Sequence, residues 1–199
     1  MKKYGIYNAG PLFTEGEWNQ RKLEGQQLRD TLDMDLIDIW NPVDYDFNDA
    51  DAGRTNKGIF DYDYSTIQKS QFAIFDLNNG DPGTLVEFGI YVEKALNNPN
   101  IFLIVKESDF RALIPQNIGE YPSYGANGFV TGVLYNDQLL WGNKIPQVYL
   151  VGNSKEAANV VKNIMDVLEN DKTIDKKAFH KENSEMLYKF GQTAEFKGL

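Results

Sequence analysis

The chain has 199 residues, of which 42% are hydrophobic and 13% aromatic, and this composition is typical of a folded globular protein rather than a disordered one. The formal net charge of −9 and the lack of a basic stripe argue against nucleic acid or an anionic membrane surface as a partner. Cysteine is absent, which excludes disulfides and thiolate catalysis and agrees with a reducing compartment.

Strand and helix patterns alternate along most of the sequence. Short apolar runs predict strands, and longer stretches that follow capping residues predict helices. In chain order the predicted elements are a strand at 4–9, a helix at 15–32, a strand at 35–40, a helix at 59–70, a strand at 72–76, a helix at 82–96, a strand at 101–105, a short helix at 127–135, a strand at 148–151 and a helix at 154–168. Strands that alternate with helices form right-handed βαβ units, so we expect a five-stranded parallel sheet.

This order of elements predicts an α/β fold with helices on both faces of the sheet. Residues 1–170 are expected to form a single flavodoxin- or Rossmann-like domain. Residues 171–199 are more polar, and we predict that they form a C-terminal helical extension with a helix around residues 179–190. No apolar leader precedes the first strand and no segment approaches the length of a membrane span, so we expect a cytoplasmic protein.

Two helices have apolar residues that predict an inner face. In the first helix these residues are Trp18, Leu28 and Leu32. In the helix at 82–96 they are Leu85, Phe88, Gly89, Val92 and Leu96. Periodicity alone places Glu87 away from this second stripe and favours a solvated side chain. The polar stretch at 41–57 is predicted to be a solvated or substrate-covering loop, since its Asp residues lack the spacing of an EF-hand.

The most informative segment follows the third predicted strand. Asp81 and Pro82 begin a helix as its N-cap and first residue, so Glu87 lies in the second turn, near the carboxyl edge of the sheet. Ligands of open α/β sheets bind at this edge. Glu87 is therefore a candidate covalent nucleophile. Asp76, which ends the strand, is interpreted as a residue that fixes the following loop by a hydrogen bond.

Two parts of the sequence, taken together, resemble the nucleoside 2-deoxyribosyltransferase family. They are Tyr7-Asn8-Ala9-Gly10-Pro11-Leu12-Phe13 after the first strand, and Gly-Thr-Leu-Val-Glu-Phe-Gly at residues 83–89, with Asp63 in the helix between them. The resemblance covers about residues 3–151. It implies an enzyme that moves 2-deoxyribose from a 2′-deoxynucleoside to a free purine or pyrimidine base, with no metal or other cofactor.

The resemblance also implies a catalytic role for four residues. Glu87 would attack C1′ of the sugar and form a covalent ester, as the nucleophile of a retaining glycosidase does. Asp81 would protonate or contact the departing base in addition to capping the helix. Asp63, with Asp61 as its rival, would position the base or the nucleophile. Tyr7 would donate a hydrogen bond to the carboxylate of Glu87.

Three further residues are candidates for substrate binding. Gly10 permits either a close approach of the backbone to the ligand or simply a turn. Phe13 stacks on the base or packs in the core. Asn127 resembles an asparagine that a neighbouring subunit contributes to hold the sugar 5′-OH, with Asn136 as its rival and helix capping as the other interpretation. This resemblance implies a homo-oligomer with shared active sites.

Two other functions stay open at this point. In the first, water opens the sugar ester and the protein is an N-glycosidase of deoxynucleosides or deoxynucleotides. Residues 11–17 are acidic and would repel a 5′-phosphate, which favours nucleosides. In the second, the protein is a non-catalytic nucleoside- or nucleotide-sensing module. Dinucleotide and P-loop motifs are absent, and His180, the only histidine, lies in the extension, which argues against Ser-His-Asp catalysis.

Overall fold

Five parallel strands form one sheet in the order β2-β1-β3-β4-β5 in a computed structural model that describes residues 3–45, 55–109 and 127–190. The strands are β1 (Tyr4–Ala9), β2 (Ile37–Trp40), β3 (Phe72–Asp76), β4 (Phe102–Lys106) and β5 (Val148–Val151). The helices are α1 (Glu15–Thr31), α2 (Asn56–Lys69), α3 (Pro82–Asn97), α4 (Gly128–Thr131), α5 (Asp137–Trp141), α6 (Ser154–Glu169), α7 (Lys176–Asn183) and α8 (Glu185–Phe190). The predicted α/β fold is confirmed, and the strand order is that of flavodoxin-like proteins.

Helices cover both faces of the sheet, because alternate residues of each strand point to opposite sides. On one face the strand residues pack with α1 and α6, and they include Ile6, Phe72, Ile74, Phe102, Ile104 and Tyr149. On the other face they pack with α2, α3 and α5, and they include Tyr7, Ala73, Phe75, Leu103, Val105 and Val148. Burial on both faces explains why the central strands are almost continuously apolar.

Local capping fixes where the long helices begin. Thr14 and Glu17 form a capping box at the start of α1. The side chain of Asp81 caps α3, as predicted, with Pro82 in the first turn. Asn153 caps α6, and Ser154 is the first residue of the helix. In the described parts of the chain, no helix is both long and apolar enough to cross a membrane.

The inner face of α1 differs from the prediction. Leu28 is fully buried and Leu32 is 7% exposed, as expected, but Trp18 is 39% exposed. Arg21 and Glu24 are buried instead, at 2% and 1% exposure. Charged side chains occupy this face because they pair with charges at the end of the sheet, as described below.

The buried face of α3 is also not the predicted stripe. Its buried residues are Thr84, Phe88, Tyr91 and Ala95. Of the predicted set, Phe88 belongs to this face, Gly89 is exposed, and the other three are partly buried. Glu87 is three residues after Thr84 and four before Tyr91, so it lies beside the buried face rather than in solvent.

The C-terminal segment folds back on β5. The predicted single helix at 179–190 is two helices, α7 and α8. The backbone N–H of Leu150 donates to Ser184 Oγ over 3.0 Å, and Nε2 of His180 lies 2.9 Å from the carbonyl oxygen of Val148. These contacts cover the outer edge of the sheet. Aromatic side chains of the segment pack within the same chain in the pairs Phe179–Tyr149 and Tyr188–His180, and Phe196 lies outside the described residues.

The predicted loop at 41–57 is partly outside the described residues, and its described start is a 3₁₀ turn at Pro42–Asp44. Helix α2 begins at Asn56, three residues before the prediction. The predicted short helix at 127–135 is α4 followed by a 3₁₀ turn at Gly132–Tyr135. Helix α5 was not predicted.

Candidate active site

The candidate site lies at the carboxyl edge of the sheet, where β1 is flanked by β2 and β3. Tyr7 of β1 is paired with Trp40 of β2 and with Ala73 of β3. The chain leaves β1 and β3 in opposite lateral directions, which opens a crevice that binds ligands in folds of this class. Helices α2 and α3 bring acidic side chains to the face on which Tyr7 lies.

Tyr7 and Glu87 are in direct contact. The phenolic Oη of Tyr7 donates a hydrogen bond of 2.6 Å to Oε1 of Glu87. Tyr7 is 1% exposed, and burial, followed by the negative charges of Glu87 and Asp63, raises the pKa of its phenol well above the ordinary value. The hydroxyl therefore stays protonated and donates. Among the described residues, the second carboxylate oxygen of Glu87 has no hydrogen-bond partner.

Two further carboxyl groups lie near Glu87. Burial raises the pKa of Glu87 to about 7; the hydrogen bond from Tyr7 opposes this, and the charges of Asp63 and Asp81 add to it. Burial also raises the pKa of Asp63 to about 6. Near neutral pH both groups can hold or release a proton, which is typical of carboxyl groups that act in catalysis.

The structure separates the two rival aspartates of α2. Asp63 is partly buried and faces Tyr7 and Glu87 closely enough to influence the pKa of both. Asp61 is exposed and forms an ion pair with Lys57, one turn earlier in the same helix. Asp63 is thus the residue that joins the site.

Asp81 has the predicted capping role. Its Oδ2 accepts hydrogen bonds from the backbone N–H of Thr84 over 2.7 Å and from Thr84 Oγ1 over 2.8 Å. Its Oδ1 accepts no hydrogen bond from the described part of the protein. This geometry also allows the predicted contact of Asp81 with a departing base.

Gly10 and Phe13 have different surroundings. A Cβ on Gly10 would lie 2.0 Å from Nη1 of Arg21 and 2.9 Å from Cβ of Asp76, so the lack of a side chain is required by these two buried residues. Phe13 is 77% exposed, which excludes the alternative that it packs in the core. Its exposed ring is free to stack on a ligand.

Both candidate asparagines are exposed helix caps. Oδ1 of Asn127 accepts from the N–H of Phe129 over 2.9 Å at the start of α4. Oδ1 of Asn136 accepts from the N–H of Leu139 over 3.1 Å at the start of α5. The capping interpretation therefore holds for both, and the role in a neighbouring subunit stays a prediction.

Sequence reasoning missed a group of four buried charged residues on the opposite face of the sheet, which we call the ion cluster: Arg21, Glu24, Asp76 and Lys106. Arg21 Nη2 lies 2.9 Å from Glu24, and Lys106 Nζ lies 2.7 Å from Asp76. Arg21 also pairs with Asp76, and Lys106 with Glu24. Each residue is at most 5% exposed. The cluster ties α1 to the ends of β3 and β4.

Asp76 also makes the predicted loop-fixing contact. Its Oδ1 accepts from the backbone N–H of Asn78 over 3.1 Å. Burial alone would raise the pKa of Asp76, but the charges of Lys106 and then Arg21 prevail and lower it. Two signals for the cluster were present in the sequence: Arg21 and Glu24 are spaced for one face of α1, and Lys106 directly follows the apolar run predicted as a strand at 101–105.

The fold and the site define a flavodoxin-like α/β protein with a tyrosine-bound glutamate at its ligand-binding edge. A family model described as nucleoside 2-deoxyribosyltransferase matches residues 6–165, and the chain belongs to this family. An uncharacterized protein from Ureaplasma parvum serovar 3 is 34% identical over 116 residues, which are 55% of this chain and 73% of that protein. The crystal structure of a conserved protein from Enterococcus faecalis has a TM-score of 0.61 at 20% identity, covers 81% of this chain and 99% of that one, and shows the similarity of fold.

Replacing Tyr7 by Phe is expected to raise the pKa of Glu87 by roughly one unit, because the lost hydrogen bond stabilises the ionised carboxylate. Carbon-13 NMR titration of the Glu87 carboxyl measures this shift. Tyr4→Phe is the matched control, since its hydroxyl contacts Glu169 instead. An unchanged or lower pKa in Tyr7→Phe would contradict the assigned contact.

Proposed function

We propose that this protein transfers 2-deoxyribose from a 2′-deoxynucleoside to a free purine or pyrimidine base through a covalent ester on Glu87. One observation carries the proposal: a buried tyrosine donates a 2.6 Å hydrogen bond to a glutamate at the ligand-binding edge of the sheet. Membership of the nucleoside 2-deoxyribosyltransferase family supports it and implies nucleoside and base substrates.

In the first half-reaction the ionised carboxylate of Glu87 attacks C1′ of the nucleoside. The C1′–N bond breaks as the C1′–O bond forms, and its electron pair goes to the nitrogen of the departing base. The transition state resembles an oxocarbenium ion, which the negative carboxylate stabilises. A 2-deoxy sugar reaches this state more easily, because it has no electron-withdrawing 2′-OH.

The departing base needs a proton or a hydrogen bond at a ring nitrogen. Asp81 is one donor candidate, since its Oδ1 is not used in capping α3. Asp63 would orient the base or the nucleophile, and its raised pKa supports a carboxyl group that retains its proton at mildly acidic pH. In the second half-reaction the free base attacks C1′ and the ester bond breaks, which returns the carboxylate. Two inversions preserve the configuration at C1′.

The charge around Glu87 supports a nucleoside rather than a nucleotide as the substrate. The described side chains of the site are Asp63, Asp81 and Tyr7, and none carries a positive charge. Arg21 and Lys106 lie on the other face of the sheet and are paired with carboxylates. A 5′-phosphate would therefore be repelled.

A homo-oligomer with shared active sites is part of the proposal. Asn127 is exposed at the start of α4, and the neighbouring Phe129 is 94% exposed. An exposed aromatic ring beside a polar side chain is suited to contact with a second subunit. Light scattering measures the assembly, and a monomer with full activity would exclude this role of Asn127.

Incubation of the protein with 2′-deoxyinosine and adenine tests the reaction. Chromatographic detection of 2′-deoxyadenosine would establish base exchange. Hypoxanthine with free deoxyribose would instead identify an N-glycosidase, in which water opens the same ester. Lack of turnover with this donor and with thymidine would favour the sensing module.

The rate of exchange is expected to rise with pH through about 7. The pKa of Glu87 is raised to about 7, so below that pH the nucleophile is mostly protonated and inactive. Asp63→Asn removes a negative neighbour and is expected to move the midpoint of kcat/KM to lower pH. Initial rates between about pH 5 and 9 measure both effects. A rate that stays level or falls as pH increases from 5 to 7 would contradict an ionised Glu87 as the nucleophile.

A further inference from the structure

Lys94, near the end of α3, connects this helix to the end of α2. Its ammonium donates hydrogen bonds to three backbone carbonyl groups, those of Ile67 over 2.7 Å, Gln68 over 2.9 Å and Ser70 over 2.5 Å. The last carbonyl groups of a helix have no partners within the helix and carry the negative end of its dipole. Lys94 therefore supplies α2 with a C-terminal cap from a neighbouring helix.

This contact partly buries the charged ammonium of Lys94, which costs desolvation free energy. Lys94 is partly buried, and burial lowers its pKa to about 8. It has no ion-pair partner among the described residues. The aromatic ring of Tyr91 lies 5.2 Å from its ammonium and adds a cation–π contact on α3. A desolvated ammonium without a carboxylate indicates that joining the two helices is its main role.

The same faces of the two helices carry the acidic residues of the site. Ile67 is one turn after Asp63, about 6 Å along α2. Lys94 is two turns after Glu87, roughly 10 Å along α3. Ile67 follows Asp63 by four residues and Lys94 follows Glu87 by seven. Each contact residue therefore lies on the same helix face as the acidic residue of its helix. The Lys94 cap thus joins α2 and α3 one to two turns from the point where their two carboxyl groups repel each other.

We propose that Lys94 is a positioning residue that holds α2 against α3 and thereby sets the separation of Asp63 and Glu87. The energy of two like charges varies inversely with their separation, so the cap controls how strongly the carboxyl groups influence each other. The proposal rests on the proposed function in one respect, since it treats Glu87 as the nucleophile.

The test is the pKa of Glu87, measured by carbon-13 NMR in Lys94→Met. Loss of the cap lets α2 move away, so the charge of Asp63 has less effect, and the pKa is expected to fall by about half a unit or more. Loss of the positive charge of Lys94 would by itself raise the pKa of Glu87. The sign of the pKa shift therefore distinguishes movement of α2 from simple loss of charge. Lys94→Arg keeps donors and a charge throughout the titration and is expected to restore the wild-type value. Lys69→Met, an exposed lysine of α2, is the matched control and is expected to have no effect.

A second measurement shows that the effect passes through Asp63. Asp63→Asn alone is expected to lower the pKa of Glu87, and Lys94→Met added to it is expected to cause no further fall. A wild-type pKa in Lys94→Met, or a fall that persists in the Asp63→Asn background, would overturn the proposal. If Lys94→Met does not fold, Lys94→Gln, which keeps a shorter donor, is measured in its place.

The titration needs no substrate, so it decides the role of Lys94 even if base exchange fails. If exchange is observed, Lys94→Met is expected to lower kcat by roughly 10-fold with little change in KM, and Lys94→Arg to recover it. A normal pKa of Glu87 in Lys94→Met would reject the positioning role whatever the value of kcat, and it would leave the transferase proposal in place.

Discussion

Glu87→Ala is expected to lower base exchange by about 10⁴-fold or more while the protein stays folded. The carboxylate forms the covalent bond to the sugar in the proposed mechanism, and alanine has no group that can replace it. The fold should tolerate the change, because Glu87 lies beside the buried face of α3 and its carboxylate is desolvated and repelled by two neighbours. Chromatographic initial rates and the circular dichroism spectrum measure the two outcomes.

Glu93→Ala is the matched control for this experiment. Glu93 is an exposed residue of the same helix and contacts Asn97, one turn later. Its replacement is expected to leave the exchange rate unchanged. Mass spectrometry of the wild-type protein with a 2′-deoxynucleoside and no acceptor base is expected to detect a sugar ester on Glu87. Wild-type exchange by Glu87→Ala would exclude this residue as the nucleophile.

The sheet could be predicted because its five strands are short apolar runs between strong helix starts. The buried face of α3 could not be predicted in the same way. Side-chain hydrophobicity ranks Leu85 and Val92 above Thr84 and Tyr91, yet the latter two face the sheet. Tyr91 packs edge-on against Phe75 of β3, and this contact depends on the tertiary arrangement rather than on periodicity.

The candidate active site could be predicted only in part. Strand–helix order places Tyr7 and Glu87 at one edge of the sheet, and the family resemblance supplied their pairing. Their 2.6 Å contact joins residues 80 positions apart, which no local pattern encodes. The ion cluster was missed because charged residues usually indicate a solvated face. Glu24 and Lys106 are buried because they meet across 82 positions in sequence.

Arg21→Met is expected to lower the free energy of unfolding by about 3–5 kcal/mol, the largest effect on stability predicted for this chain. Arg21 is 2% exposed and contacts Glu24, Asp76 and the carbonyl oxygen of Ala9. Its removal leaves two buried carboxylates with the single ammonium of Lys106. Urea unfolding measures the change, and the slope with urea concentration should stay constant if the unfolded state is unaffected.

Arg29→Met is the control from the same helix, because Arg29 pairs with Asp44 over 2.9 Å and is 35% exposed. Exposed pairs contribute roughly 0–1 kcal/mol, so its loss should be small.

The effect of Arg21→Met should also depend on pH. Since Lys106 and Arg21 lower the pKa of Asp76, their stabilisation is present above the unfolded pKa of about 3.9 and is lost as pH falls through the lowered value. The difference between Arg21→Met and wild type should therefore be largest near neutral pH and smaller in acid. A difference below about 1 kcal/mol at neutral pH would show that the ion cluster does not hold α1, β3 and β4 together.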